Sequence, residues 1–326
     1  MKLKVLAERR MAQFPEAPVI VAIGGCVRDL MSYSERFPKP GETLIGTNFV
    51  KGYGGKAANQ CIMASRLGTS TAMIGKVGDD DFGHQSKENF KQNNVNAEYV
   101  GITKDAATSV AQITVVKDGQ NSIVYIPGAN DCLTVEDIRS AENDLIKKVK
   151  LMILTYESIS EVILEALKIA KQHGVRTLVN AAPVNPGVSE EIYPLCDVLC
   201  VNEVEAEVET GLCVESIEQA KSATQMLLKR GCFSVILTLG PRGAVFASEE
   251  QPQAIYIPAK QVTAVDTTGA GDAFLGALAY FMTQHSSLTM KECIERSCEV
   301  AAISVQNLGT QKSFPWRKDI PAELFS

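Results

Sequence analysis

The stretch Asp266-Thr267-Thr268-Gly269-Ala270-Gly271-Asp272 runs directly into the apolar segment 273–280 and predicts a tight turn that opens a buried helix. Gly269 and Gly271 let the backbone approach a bound group, and the first amides of a helix have no partner inside it. These amides and the positive end of the helix together form a site for an anion. Asp272 lies at the same end, which suggests a general base beside a transferring phosphoryl group. The alternative is that Asp272 only caps the helix.

A second glycine-rich helix start lies at 51–60, with the sequence Lys51-Gly52-Tyr53-Gly54-Gly55-Lys56-Ala57-Ala58-Asn59-Gln60. Alone, such a cluster is weak evidence, because a simple glycine turn with a surface lysine has the same pattern. Two such starts in one chain favour two anion- or hydroxyl-rich ligands, or one ligand held from both sides.

The remainder of the chain predicts an α/β fold with a doubly wound, mostly parallel sheet. Apolar runs at 19–24, 151–154, 176–180, 198–202 and 234–239 are typical of buried parallel strands, and the later ones alternate with helical segments. This alternation favours right-handed crossovers between neighbouring strands.

Two segments, approximately 31–51 and 108–127, alternate like exposed strands instead. The second predicts a hairpin that turns at Asp118-Gly119. We expect both segments to form one small β-sheet that is inserted into the domain 19–326 as a lid over the site. Residues 1–18 are expected to form a flexible N-terminal tail.

Composition restricts the class of protein. The 326 residues are 45% hydrophobic and carry a net charge of −6, without a block of basic residues, which argues against nucleic acid as a partner. Nine cysteines without a Cys-x-x-Cys pair argue against a zinc site or a disulfide framework and favour a reducing, cytoplasmic location. No stretch approaches the roughly 18 apolar residues of a membrane span.

Polar residues collect after the predicted strands. Asp29 lies five residues beyond the first strand, and Glu157 follows the strand at 151–154. Asn202 ends the strand at 198–202 and Glu205 follows it, and the turn 238–243 closes the next strand. Ligands bind at the carboxyl ends of strands in open α/β sheets, so these residues are candidate ligand contacts.

The two glycine-rich stretches resemble the two signatures of the ribokinase-like carbohydrate kinases. The stretch 266–272 resembles the second signature and 54–59 the first, and the resemblance extends from Val19 to Trp316 in the same order. It implies ATP-dependent phosphorylation of a sugar. The lysine in Gly54-Gly55-Lys56 points to D-ribose, phosphorylated at O5 to D-ribose 5-phosphate. The resemblance also implies a cytoplasmic, or additionally nuclear, homodimer that pairs through the lid.

The resemblance assigns a role to each matching position. It makes Asp272 the base and Gly269, Ala270 and Gly271 the anion hole. The ribose hydroxyls would be held by Asp29, Gly55, Lys56, Asn59, Glu157 and Asp272. The ATP site would be lined by Asn202, Glu205, Thr238, Leu239, Gly240, Gly243, Gly271 and Cys298. Glu205 would order Mg²⁺ through water, and an activating K⁺ would lie at Asp266, Thr268, Ser304, Asn307, Gly309 and Ser313.

Three positions depart from the family pattern: Ala57 in place of glycine, Cys298 in place of asparagine, and Ala181 in place of proline. Because Ala57 adds a methyl group near the sugar, a kinase for 2-deoxyribose or fructose is an alternative. A non-catalytic sugar-binding regulator is a third hypothesis, although intact Asp272 argues against it. A dinucleotide dehydrogenase would need a Gly-x-Gly-x-x-Gly after the first strand, which this sequence lacks.

Overall fold

The computed structural model describes residues 17–326. The predicted flexible tail at 1–18 therefore lies, apart from its last two residues, outside the described residues. Within 17–326, the helices are all too short or too polar to cross a membrane.

The elements of residues 17–326 are numbered here in chain order. The strands are β1 (Ile20–Ile23), β2 (Val27–Ser34), β3 (Asn48–Gly54), β4 (Thr71–Gly78), β5 (Val95–Asn96), β6 (Val100–Thr103), β7 (Ser109–Val116), β8 (Asn121–Ile126), β9 (Leu151–Thr155), β10 (Arg176–Asn180), β11 (Val198–Asn202), β12 (Ser234–Thr238), β13 (Ala244–Ser248) and β14 (Ile255–Ile257). The α-helices are α1 (Lys56–Arg66), α2 (Asp81–Gln92), α3 (Val135–Glu142), α4 (Ser160–His173), α5 (Glu203–Thr210), α6 (Ile217–Leu228), α7 (Ala270–Gln284) and α8 (Met290–Ser304).

The main sheet has ten strands in the order β14-β13-β12-β11-β10-β9-β1-β4-β5, with β6 also paired to β4. Along this order, every neighbouring pair from β5–β4 to β11–β12 is parallel. The pairs β12–β13 and β13–β14 are antiparallel and form one edge of the sheet. Side chains of β1 alternate between two cores: Ile20 and Ala22 pack with α1, α2, α7 and α8, whereas Val21 and Ile23 pack with α3 to α6. The predicted α/β class with a doubly wound, mostly parallel sheet is confirmed.

A separate sheet of four strands has the order β3-β2-β7-β8. The predicted hairpin is confirmed, since β7 and β8 pair antiparallel. The earlier segment is longer than expected: its strands cover 27–34 and 48–54 rather than 31–51. Strand β2 begins early because the chain leaves the main sheet directly after β1, through a short turn in which Gly24 has a φ of 153°. Asp29 therefore lies inside β2 and not in a loop after β1.

Helices α1 and α7, which follow the two glycine-rich stretches, pack closely at Gly276. A Cβ atom at this position would lie 2.5 Å from Cβ of Met63 and 2.6 Å from the carbonyl oxygen of Gln60. Both distances are shorter than van der Waals contact, so glycine is needed for this approach. The approach places Gln60 within hydrogen-bond distance of Asp272.

We expect Gly276→Ala to lower the free energy of unfolding by about 1–3 kcal/mol, because the added methyl group forces the two helices apart. Gly271→Ala in the same helix is the matched control, since a Cβ atom there would meet nothing within 4 Å. Urea unfolding midpoints measure the difference. Equal midpoints for the two variants would contradict this account of the helix contact.

Candidate active site

The start of α7 is an open helix N-terminus. Gly269 precedes the helix with a φ of 79°, and a Cβ atom there would lie 2.6 Å from Cγ2 of Thr310. Gly271 is exposed, and a Cβ atom on it would meet nothing within 4 Å. The amide of Ala270 donates to the carbonyl oxygen of Thr267 at 3.1 Å. A ligand can therefore approach the helix start closely at Gly271, where the sequence predicts an anion hole.

Asp272 lies in the first turn of α7, and only 7% of it is exposed. Its carboxylate accepts hydrogen bonds from Nδ2 of Asn59 at 2.8 Å and from Nε2 of Gln60 at 2.9 Å. Burial raises the pKa of Asp272, and Lys56, Gln60 and Asn59 partly oppose this increase. The alternative in which Asp272 merely caps the helix is not supported, because its carboxylate accepts from the side chains of Asn59 and Gln60 on α1.

The amides at the start of α1 are occupied by Glu157. Its carboxylate accepts hydrogen bonds from the backbone amides of Lys56 at 3.0 Å and Ala57 at 3.3 Å, and from Oγ1 of Thr155 at 3.2 Å. Gly55 has a φ of 91°, and a Cβ atom on it would lie 2.3 Å from the carbonyl oxygen of Gly25. The second glycine-rich start thus binds a carboxylate of the protein itself, which leaves α7 as the open anion site of the pair.

Lys56 is surrounded by carboxylates. Burial disfavours its ammonium group, but Asp272, Glu157 and Glu205 together outweigh this effect and hold the pKa of Lys56 above its usual value. Burial in turn raises the pKa of Glu157 and of Glu205. The site therefore contains a cluster of acidic groups around Lys56.

Asp29 belongs to the same cluster. Burial, reinforced by the negative charge of Glu157, raises the pKa of Asp29 to about 6, although Arg28 opposes the increase. A Cβ atom on Gly54 would lie 2.6 Å from Oδ1 of Asp29. The glycine in β3 therefore makes room for the carboxylate of β2.

The methyl group of Ala57 is fully buried. Ala57 is 0% exposed, and a Cβ atom on Gly24 would lie 2.7 Å from the Cβ atom of Ala57. The side chain that departs from the family pattern therefore packs in the core with Ile20 and Ala22 of β1, next to Gly24.

Two adjoining cavities lie at the carboxyl ends of the strands, and both are lined by Thr238, Thr267, Ala270, Gly271 and Phe274. The larger, of about 250 Å³, is otherwise lined by Gly240, Pro241, Gly243, Ala259, Lys260, Val262, Ala264, Cys298, Ala301, Ala302 and Val305. The smaller, of about 190 Å³, extends to Lys56, Asn180, Ala182, Cys200, Val201, Asn202, Glu205, Gly269, Asp272 and Leu275. The two cavities thus share one wall, and the smaller of them reaches Asp272.

Among the predicted ATP residues, Leu239 differs from the rest. It is 1% exposed and packs in the core, so only its backbone belongs to the turn, where its amide bonds to the carbonyl oxygen of Gly243.

Asn202 and Glu205 form a reciprocal cap at the start of α5. Asn202 donates from its amide at 2.8 Å and from Nδ2 at 2.9 Å to the carboxylate of Glu205.

Of the predicted cation residues, Ser304 is the last residue of α8, and the others lie in the loop segments 266–268 and 307–313. Asp266 joins these two segments. Its carboxylate accepts hydrogen bonds from the amides of Thr268 at 2.9 Å and Gly309 at 2.8 Å. These bonds outweigh the effect of burial and hold the pKa of Asp266 below its usual value. The hydroxyl groups of Ser304 and Ser313 donate to backbone carbonyls instead, and Nδ2 of Asn307 lies 3.5 Å from the carbonyl oxygen of Ile303.

Sequence reasoning missed several residues of the site. Gln60 stands beside Asn59 in the glycine-rich stretch, and its contact with Asp272 could have been suspected from that position. Gln311 donates from Nε2 to Oδ1 of Asn59 at 2.8 Å, across 252 residues of chain, so no local pattern could reveal it. The apolar lining of the larger cavity, such as Val262 and Phe274, resembles ordinary core sequence.

Comparisons with known proteins agree with this geometry. Residues 18–317 match the pfkB family of carbohydrate kinases. Ribokinase of Mus musculus is 45% identical over 313 residues, which cover 96% of this chain and 97% of the relative. Deoxyribokinase of Salmonella typhi is 36% identical over 296 residues, covering 91% of this chain and 95% of the relative. The structure of Arabidopsis thaliana ribokinase complexed with ribose and ATP has a TM-score of 0.85 and 28% identity, covering 93% of this chain and 97% of that chain.

The family expected from the two signatures is therefore confirmed, and the chain belongs to the pfkB family of carbohydrate kinases.

Proposed function

We propose that the protein transfers the γ-phosphoryl group of ATP to the 5-hydroxyl of D-ribose, which yields D-ribose 5-phosphate and ADP. The observation that carries the proposal is the buried carboxylate of Asp272 in the first turn of α7, beside open helix amides. The likeness to mouse ribokinase over nearly the whole chain supports ribose as the sugar.

In this reaction Asp272 accepts the proton of the sugar hydroxyl while the hydroxyl oxygen attacks the γ-phosphorus in line. The bond between that phosphorus and the bridging oxygen of ADP breaks, and ADP leaves. The helix start at Gly269, Ala270 and Gly271 stabilises the charge on the phosphoryl oxygens. A raised pKa suits Asp272 for this role, because a stronger base accepts the proton more readily.

We assign the sugar hydroxyls to the acidic cluster. The carboxylates of Asp29 and Glu157 accept hydrogen bonds from hydroxyl groups, and Lys56 and the amide of Gly55 donate them. The side chain of Asn59 already bonds to Asp272 and Gln311, so its contribution to the sugar is made with its remaining N–H group. A neutral sugar suits this site, since a further anion would be repelled by the carboxylates.

We assign ATP to the two adjoining cavities. The apolar lining around Cys298 suits the face of an adenine ring, and Thr238, Gly240 and Gly243 form the strand-end turn beside it. Asn202 and Glu205 lie in the smaller cavity on the way to Asp272, where the phosphates would pass. The backbone at Leu239 supports the turn from within the core.

The described residues also fit the expected ions. Glu205 is a carboxylate at the phosphate end of the nucleotide space and can hold the water shell of Mg²⁺. When bound, Mg²⁺ offsets negative charge on the phosphates. The pKa of Asp266 is held below its usual value, so its carboxylate is negatively charged at neutral pH. This charge suits a monovalent cation such as K⁺, which we assign to Asp266, Thr268, Ser304, Asn307, Gly309 and Ser313.

Asp272→Asn tests the base directly. We expect turnover to fall by at least about 100-fold, because the amide cannot accept the proton, while ATP binding measured by calorimetry remains. Turnover at the wild-type rate would falsify the assignment of Asp272.

The pH dependence of kcat/KM follows from the same group. Protonated Asp272 is inactive as a base, so activity falls as the pH drops through its raised pKa. Lys56→Met removes a positive charge that lowers this pKa. The low-pH decline of kcat/KM, called here the acid limb, should therefore move to higher pH. Lys291→Met, which removes an exposed lysine of α8, serves as the control and should leave the limb in place. An unmoved limb in Lys56→Met would contradict the electrostatic account.

The principal alternative is a kinase for another sugar. It is favoured by the likeness to a deoxyribokinase and opposed by the burial of the Ala57 methyl group.

ATP consumption with D-ribose, 2-deoxyribose and fructose, each with KCl or choline chloride at equal ionic strength, separates the possibilities. We expect the highest kcat/KM for D-ribose and a faster rate in potassium. The absence of a preference for ribose would reject ribose as the substrate. Equal rates in both salts would reject an activating potassium ion. A sugar-binding regulator would consume no ATP with any of them.

The four-stranded sheet supplies the dimer surface in our proposal. Its edge strand β8 exposes Ile123, Val124, Tyr125 and Ile126, and unpaired strand edges favour pairing with another chain. Val124→Lys should therefore convert a homodimer into a monomer in light scattering, while Lys117→Glu in β7's turn should not. A wild-type monomer would contradict the dimer.

The nine free cysteines suit the cytoplasm or nucleus, where we place the protein.

A further inference from the structure

A line of hydrogen-bonded side chains runs from a guanidinium group through four amides to the base. Its successive donors and acceptors are Arg66 Nε to Asn93 Oδ1 at 2.8 Å, Asn93 Nδ2 to Asn89 Oδ1 at 3.3 Å, Asn89 Nδ2 to Gln311 Oε1 at 2.9 Å, Gln311 Nε2 to Asn59 Oδ1 at 2.8 Å, and Asn59 Nδ2 to Asp272 Oδ2 at 2.8 Å.

The direction of this line is fixed at both ends. Arginine can only donate, and an ionised carboxylate can only accept. An amide group keeps almost the same shape when its oxygen and nitrogen exchange places, so its orientation depends on its partners. Reversing an amide between Arg66 and Asp272 would place two donors or two acceptors against each other, so the links point toward Asp272. The Nδ2 group of Asn93 is shared, since it also donates to the backbone carbonyl oxygen of Asn89 at 2.8 Å.

Gln60 provides an internal comparison. It also donates to Asp272, but its own Oε1 is buried and has no partner among residues 17–326. Asp272 alone therefore orients Gln60. Asn59 differs, because Gln311 holds it from the other side and directs Nδ2 toward the base.

We propose that Gln311 is a positioning residue for the base: by fixing the amide of Asn59, it keeps a donor rather than an acceptor against the Asp272 carboxylate. The inference rests on the proposed function, since it assigns Asp272 as the base. The backbone of Gln311 is itself held in place, because its carbonyl oxygen accepts from Arg66 at 2.5 Å.

Asp272 is also influenced by charged groups on other elements. Lys56 faces it from α1, Asp29 from β2, Glu157 from the end of β9, and Glu205 from α5. None of these residues is a member of the line, so a change at Gln311 leaves them in place.

The acid limb of the kcat/KM profile in Gln311→Glu tests the proposal. A carboxylate at this position accepts from Asn59, which reverses the amide and turns its oxygen toward Asp272. We expect the limb to move up by roughly one pH unit, with a lower kcat at neutral pH and an unchanged KM for ATP. Gln284→Glu, at the far end of α7, is matched in chemistry and should leave the limb in place.

The added negative charge could act on Asp272 directly, and a double-mutant cycle separates the two effects. In an Asn59→Leu background the reversible amide is missing, so Gln311→Glu should then move the limb much less. An equal shift in both backgrounds, or no shift in either, would overturn the proposal. Should Gln311→Glu fail to fold, Gln311→Met carries the same comparison with a smaller shift.

The profiles are measured with whichever sugar of the panel is the best substrate. Failure of the ribose assignment would then appear as a different preferred sugar, with the comparison of Gln311 variants intact. Failure of the positioning role would appear as an unchanged profile in an active enzyme.

Discussion

A buried carboxylate needs hydrogen-bond donors around it, and the structure is arranged so that Asp272 receives them from a second helix. The donors, Asn59 and Gln60, are on α1, whereas Asp272 is on α7. They can meet because the two helices approach closely at Gly276, and because both begin beside the smaller cavity at the carboxyl ends of the strands. The packing of α1 against α7 therefore also sets the hydrogen bonds that Asp272 receives.

The balance of charge divides the site into two halves. Asp29, Glu157, Glu205 and Asp272 influence one another around Lys56, and burial raises the pKa of each of these carboxyl groups. Such a cluster suits a neutral, hydroxyl-rich ligand. The open amides of α7 and the apolar cavity lie on the other side of Asp272, where phosphate and an aromatic base are better placed.

The two glycine-rich helix starts also show why similar motifs can have different roles. At α7 the amide of Ala270 bonds to the carbonyl oxygen of Thr267, but no side chain occupies the amide of Gly271, which stays open for a ligand. At α1, Glu157 bonds to the amides of Lys56 and Ala57 and so fixes the lysine next to the cluster. One start is prepared for an anion from solution, and the other uses an anion supplied by the chain.

Much of this arrangement could be predicted from the sequence, because it is local. Periodic apolar runs predicted the sheet, and the stretch 266–272 predicted both the helix start and its carboxylate. The occupation of the α1 amides by Glu157 could not be predicted, since the partners are 101 residues apart. Asp29 was expected after a strand but lies within β2, because the chain changes sheets in only a few residues. Gln311 gave no signal, as its role depends wholly on tertiary contacts.

The central claim is that Asp272 is the group that takes the proton from the sugar. A crystal structure with D-ribose and a non-hydrolysable ATP analogue tests it most directly. The account predicts that the 5-hydroxyl oxygen lies about 2.6–3.2 Å from a carboxylate oxygen of Asp272 and in line with the γ-phosphorus. A 5-hydroxyl group bonded instead to Asp29 or Glu157, with Asp272 out of reach, would contradict it.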